Sequence, residues 1–177
     1  MTNFHFCHII LLSLSLIGCN EPHETQRQIG LPNKAKLTLD SLRNALVDDE
    51  ELGWVKLQDG RYEDTVRQID LTLFEQFASA DFDSDGYEEA ICLVGANTGG
   101  SGTFMTLDLF HNDHGSAVQA GSYEMGDRVG PDSVIVVADT INLYFQTRGP
   151  DDGMAKDGSI HVHKKLKLLK DKLVELN

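Results

Sequence analysis

What most constrains this chain is a succession of short apolar runs, each closed by residues that turn the backbone. Ile141, Leu143 and Phe145 alternate with Asn142, Tyr144 and Gln146, the period of two that gives a sheet one buried face. Runs of similar character cover residues 66–77, 89–94, 103–110, 117–123, 133–138, 160–168 and 172–175. Turn pairs at Asn112-Asp113, Asp139-Thr140 and Lys170-Asp171 punctuate them. Trp54–Leu57, Asp59-Gly60 and Arg61–Glu63 read as a hairpin around a turn that tolerates positive φ. Before the strands, Leu39, Leu42 and Leu46 fall at helical spacing with Thr38 available as an N-cap. The pattern predicts a single, mainly β domain over residues 37–177. It should be an antiparallel meander or sandwich-like sheet with one short N-terminal helix.

The N-terminal residues follow different rules. Residues 1–18 carry no Asp, Glu, Lys or Arg, and Ile9–Ile17 is apolar apart from Ser13 and Ser15. That run is too short to span a bilayer as a helix but suits the apolar core of a secretory signal. It ends in Leu16-Ile17-Gly18-Cys19, which resembles the lipobox of bacterial lipoproteins. The start, Met1–His5, departs from that pattern in lacking Lys or Arg. The resemblance implies a leader over residues 1–18, cleavage before Cys19 and acylation of Cys19, so that palmitate-type chains hold the protein to a membrane. Several chains are needed for a lasting anchor, because one acyl chain binds only marginally. Residues 20–36 offer almost nothing to bury and read as a flexible tether. Asn20 after the cysteine implies the outer membrane, facing periplasm or exterior, under the sorting logic of Gram-negative lipoproteins.

The formal charge of −13 lies wholly beyond residue 18. Nucleic acid is therefore excluded as a partner class and cations are favoured. Cys92 is the only thiol outside the leader and lipobox, so no intramolecular disulfide is expected. It lies within Ala90-Ile91-Cys92-Leu93-Val94 and reads as a small buried apolar residue.

Part of the negative charge is concentrated just before that apolar run. In Asp81-Phe82-Asp83-Ser84-Asp85-Gly86-Tyr87-Glu88-Glu89, carboxylates at loop positions one, three and five can curl around one ion, and the glycine at six permits a sharp turn. Tyr87 would offer its backbone carbonyl and Glu89 would close the site. The twelfth position of an EF-hand is here Cys92, a ligand unsuited to calcium. The loop resembles the D-x-D-x-D-G-x-x-D/E loops of integrin-type FG-GAP repeats, which implies a structural Ca²⁺ on Asp81, Asp83, Asp85, Tyr87 and Glu89. An ordinary acidic turn is the competing reading.

The resemblance extends beyond the loop. The stretch from Ala80 to Phe110, then Gly126-Asp127-Arg128-Val129, then Thr147-Arg148-Gly149-Pro150-Asp151-Asp152, is similar to a family of uncharacterised bacterial secreted proteins and lipoproteins. Its members carry an acidic G-D-L-N-G-D-G-type loop, an N-T-G-G-S-G-T-F segment, G-D-R-V and T-H-G-P-N-D-P-M. Here Arg148 stands for the usual His, and Met154–Asp157 lacks a cysteine pair many relatives have. The family implies no established activity. Gly99–Thr103 lacks the Lys of a phosphate loop, and Ser101 lacks the flanks of a nucleophile elbow. His161 and His163 share a strand face that suits solvent as well as a metal. The expectation is a monomeric, lipid-anchored envelope protein acting as a non-catalytic binding or structural module. Its partner would be an envelope protein or polysaccharide. The alternative is a hydrolase of cell-envelope polymers, with Gly99–Thr103 and Asp127/Arg128 lining its cleft.

Overall fold

The structure is a computed structural model that describes residues 36–150, 152–153 and 158–176. The leader, Cys19, the tether up to residue 35 and the Met154–Asp157 corner lie outside the described residues. The elements are α1 (Leu39–Arg43), β1 (Leu46–Asp49), β2 (Gly53–Lys56), β3 (Arg61–Asp64), β4 (Ile69–Ala80), β5 (Glu89–Asn97), β6 (Phe104–Asp113), β7 (Ser116–Asp127), β8 (Gly130–Val137), β9 (Thr140–Thr147), β10 (Ile160–Leu169) and β11 (Lys172–Glu175). The protein is mainly β, with one short helix and sheets that are antiparallel in all but one pairing.

Helix α1 begins where the sequence provides a cap. The Thr38 hydroxyl accepts from the Ser41 N–H at 3.2 Å, and the Ser41 hydroxyl accepts from the Thr38 N–H at 2.8 Å. Both hydrogen bonds satisfy amides that a helix start leaves unpaired. The helix stops earlier than the leucine spacing predicts. Ala45 and Val47 are buried while Leu46 and Asp48 are exposed, so Leu46 opens a strand instead of closing a helical stripe. A period of two in this stretch outcompetes the period of 3.6.

Seven strands form one sheet in the order β2-β1-β7-β6-β5-β4-β3, and four form a second in the order β11-β10-β9-β8. Strands β4 to β7 and β8 to β11 are the expected meanders. The parallel exception is β1 against β7, through Leu46 opposite Val118. Three turn assignments change, the smallest at β8–β9, where the turn occupies Ala138 and Asp139 and Thr140 already belongs to β9. The β6–β7 reversal centres on His114 and Gly115, both at positive φ, while Asn112-Asp113 still belongs to β6. The Asp59-Gly60 turn forms, at φ 50° and 83°, with Gln58 bridged to Arg61. Its arms do not zip together, because β2 pairs with β1 and β3 pairs with β4.

That splayed turn sets the shape of the larger sheet. β2 and β3 are its two outermost strands, yet only residues 57–60 join them. Five Cα steps reach at most about 19 Å, whereas six flat strand spacings need roughly 29 Å. The sheet must curl. Gly60 staples the curl: its N–H donates to the Arg43 carbonyl at 2.7 Å and its carbonyl accepts from the Leu73 N–H at 2.8 Å.

Curling gives the sheet an inner and an outer face. Leu42 of α1, Val47, Leu57, Leu71, Ala90, Cys92, Val94 and Phe110 fill the inner face. Ile91, Leu93, Met105, Leu107 and Leu109 occupy the outer face and pack on Ile141, Leu143 and Leu166 of the smaller sheet. β5 is therefore buried on both sides, which explains its unbroken apolar run. Gly121 in β7 lets the β10–β11 turn approach closely, since a Cβ there would lie 2.2 Å from the Asp171 carbonyl oxygen.

Gly60→Ala should destabilise the protein by about 1–2 kcal/mol, the cost of a left-handed conformation at an L-residue. Gly100→Ala, at a position with open space around it, should stay within about 0.5 kcal/mol of the original. Equilibrium urea unfolding of the two variants checks both values.

Candidate functional site

The acidic loop lies between β4 and β5. It is wound by its own carboxylates: the Asp85 N–H donates to Asp83 Oδ1 at 2.9 Å, and the Tyr87 N–H donates to Asp85 Oδ1 at 2.6 Å. Ser84 at φ 63° and Gly86 at φ 85° make the two tight reversals. Asp81, Asp83 and Asp85 each present a carboxylate oxygen within 4.8 Å of the others. These are the three residues that the spacing places around one ion. Tyr87 is brought to the loop through its amide, and its ring meets His114 edge-on at 6.2 Å.

Glu89, the expected closing residue, is only 1 % exposed. Its Oε2 accepts from the Phe82 N–H at 2.8 Å, so the carboxylate reaches back across the loop. Burial raises its pKa, the Phe82 N–H offsets part of that rise, and the charges of Asp83 and Asp85 add to it. A cation among these oxygens would relieve both the burial and the repulsion. His111 joins from β6, with a ring nitrogen, Asp83 and Glu89 mutually within 4.8 Å. Its Nε2 is also 3.1 Å from Asp171 Oδ1. The linear spacing gave no hint of His111, which arrives through strand pairing one residue beyond the Ala90–Phe110 pair.

A second acidic group is buried deeper. Asp108 projects from β6 to the inner face of the curled sheet and is 1 % exposed. Its Oδ2 accepts from Gln119 Nε2 at 2.8 Å, and Gln119 Oε1 in turn accepts from the Asp48 N–H at 2.6 Å. That relay fixes which end of the amide faces the carboxylate. Burial raises the Asp108 carboxyl to about 7, with the Thr106 hydroxyl opposing the rise. The Thr106 proton is directed to the Val94 carbonyl at 3.3 Å, and Oδ1 of Asp108 has no hydrogen-bond partner among the described residues. Cys92, opposite Asp108 in the ladder, is fully buried and gives its thiol to the Phe74 carbonyl at 2.9 Å, where β4 bulges. Burial and then the Asp108 charge push the thiol up to about 12.

The other sequence candidates are placed as follows. Ser101 and Arg128 do meet, with Arg128 Nη2 donating to the Ser101 hydroxyl at 2.6 Å. Asp127 fills the space over Gly102. A guanidinium donor orients a serine oxygen but cannot remove its proton. His163 stacks on Tyr144 at 4.2 Å, and His161 Nδ1 lies 3.8 Å from Asp132 Oδ2. No family model, curated protein or solved structure matches the chain.

The raised carboxyl of Asp108 makes stability pH-dependent with a definite sign. Below its ordinary value of 3.8 the group is protonated in both folded and unfolded chains. Between there and about 7 the unfolded chain loses the proton first, so stability falls as pH rises, and the full penalty persists above. Asp108→Asn should therefore flatten this part of the profile and raise stability at pH 8 by an amount on the order of a few kcal/mol. Urea midpoints of the two proteins between pH 4 and 8 measure it.

Proposed function

We propose that this chain is a lipid-anchored protein of the bacterial cell envelope whose β domain carries a calcium-binding loop and serves as a non-catalytic binding or structural module. The observation that carries the calcium reading is the convergence of Asp81, Asp83 and Asp85 within 4.8 Å, with buried Glu89 turned back to the same loop. All four are hard oxygen donors, which suit calcium, and the loop can supply the Tyr87 carbonyl as well. A transition metal on Asp83, Glu89 and His111 is the weaker assignment, because His111 Nε2 is already turned to Asp171. The envelope part of the proposal is supported by Leu16-Ile17-Gly18-Cys19, the apolar run before it and the ordered motif series of the domain.

Calcium should raise the melting temperature of the protein, with tenfold excess over Kd contributing about 1.4 kcal/mol. The Asp83→Asn/Asp85→Asn double variant should lose that response and gain stability in chelator, because repulsion falls together with affinity. Magnesium should act more weakly, since it tolerates a flexible many-ligand loop poorly. Indistinguishable calcium and magnesium titrations of wild type and variant would defeat the calcium assignment.

The anchor is tested separately. Cys19→Ser should abolish incorporation of labelled palmitate in a bacterial host and leave the precursor uncleaved at that site. Mass spectrometry of an unmodified mature protein starting elsewhere would refute lipidation.

A further inference from the structure

The four-stranded sheet turns its second face to solvent. Ile141, Leu143, Phe145 and Leu166 pack toward the larger sheet, so the residues that alternate with them point away from it. Asn142 stands opposite both Ile135 and Lys165, and the Leu176 N–H donates to the Lys165 carbonyl at 2.8 Å, which sets Ile135, Asn142, Lys165 and Leu176 in one row. Val137 opposite Thr140 and Lys167 opposite Val174 form the next row, and Leu169 opposite Lys172 closes the face toward the β10–β11 turn. Ile135, Val137, Leu169 and Val174 are 49, 62, 52 and 39 % exposed. Residues 164–172 also hold five of the 15 Lys and Arg of the chain and a single carboxylate, Asp171. Lys165 and Lys172 have no ion-pair partner among the described residues. The carboxylates at the border of the face are already engaged, Asp139 with Lys167, Asp132 with Gln146 and Asp171 with His111. A chain of net charge −13 thus gathers cations and aliphatic side chains on one sheet face.

This combination is selective. An anionic polysaccharide would use the lysines and leave the aliphatic rows in water. A bilayer with anionic headgroups answers both, offering phosphate to the ammonium groups and its acyl boundary to the aliphatic side chains. We propose that this face docks the domain on an anionic phospholipid surface, with Lys165, Lys167 and Lys172 at the headgroups and Ile135, Val137, Val174 and Leu176 against the acyl boundary. The proposal rests on the lipid anchor for nearness to a membrane. The 17 residues from Asn20 to Lys36 span at most about 60 Å. A domain of this size has a radius of gyration of roughly 14 Å, so tether length does not dictate which face meets the bilayer. Charge does: the acidic faces are repelled by an anionic surface, and this one is attracted within a Debye length of about 8 Å.

The test uses the full chain, whose one tryptophan, Trp54, is exposed on β2 of the other sheet. Trp54→Phe/Val137→Trp moves that probe to the proposed face. Both proteins are reconstituted on phosphatidylcholine vesicles that contain brominated lipid, with and without phosphatidylglycerol. The tryptophan at position 137 should be quenched and blue-shifted on the anionic vesicles and keep its solvent-like emission on the others. Trp54 of the wild type should be quenched on neither. Adding Lys165→Glu/Lys167→Glu/Lys172→Glu should lower the ratio of docked to undocked protein at least about tenfold, since each lysine near such a surface contributes about fivefold. Salt at about 0.5 M should release the probe in the same way without any charge reversal. The proposal is overturned if the probe is quenched equally with and without phosphatidylglycerol, if Trp54 is quenched as strongly, or if anionic quenching survives charge reversal. Quenching that persists in high salt overturns it even where the charge-reversed variant fails to fold. Self-association without vesicles that charge reversal abolishes would also overturn it, by giving the face to a second copy of the chain. The anchor is judged apart from the face: acylated Cys19 without quenching sinks the face alone, and quenching with unmodified Cys19 sinks the anchor alone.

Discussion

The shortness of the link between β2 and β3 governs this domain. A chain that must place its first and last sheet strands within four residues of each other cannot lay seven strands flat. Once the sheet curls, the inner face becomes an interior in its own right. The outer face needs a second cover, which the four-stranded sheet supplies. The Gly60 hydrogen bonds to Arg43 and Leu73 hold the two ends together. Arg43 adds a surface fastening across the same seam through Glu75 and Asp59. Exposed ion pairs of this kind contribute at most about 1 kcal/mol, so the backbone staple matters more.

Two faces also mean two places to bury an acid. Glu89 and Asp108 are the buried charged residues among the described residues. Glu89 keeps a backbone donor but stands beside other carboxylates, so its environment improves when a cation arrives. Asp108 keeps one amide donor and a free oxygen, and burial alone accounts for most of its shift. The two groups are thus buried in different surroundings, one beside other carboxylates and the other beside a single amide donor.

Local rules made much of this legible in sequence. The alternation Ile141 to Gln146 places β9 correctly, and the β10–β11 turn falls on Lys170-Asp171, both at positive φ. The acidic loop was readable because the spacing of its carboxylates is local, and its three aspartates do converge. Pairing was not readable. Asp59-Gly60 gave the turn but not the divergence of its arms, since partner choice depends on strands far away in the chain. His111 was missed for the same reason. Asp108 was hidden by its own strand: with Met105, Leu107 and Leu109 on one face, alternation assigns Asp108 to solvent. Only the curl, a property of the whole sheet, turns that second face inward.

This explains how an excess of 28 acidic over 15 basic residues can shape the interior as well as the surface. On the surface, most carboxylates are solvated or paired at little cost, as Glu175 is with Lys164 at 2.6 Å and Asp139 with Lys167 at 2.5 Å. Inside, Glu89 and Asp108 lack a cationic partner among the described residues, and replacing them with apolar groups of similar size would be the cheaper way to fill a core. Their burial is then a cost borne by the fold without return, unless something from outside supplies the positive charge. The sheet keeps Glu89 and Asp108 on opposite faces, so the two burials are separate costs: one at the surface loop among other carboxylates, the other in the interior of the curl beside a single amide donor.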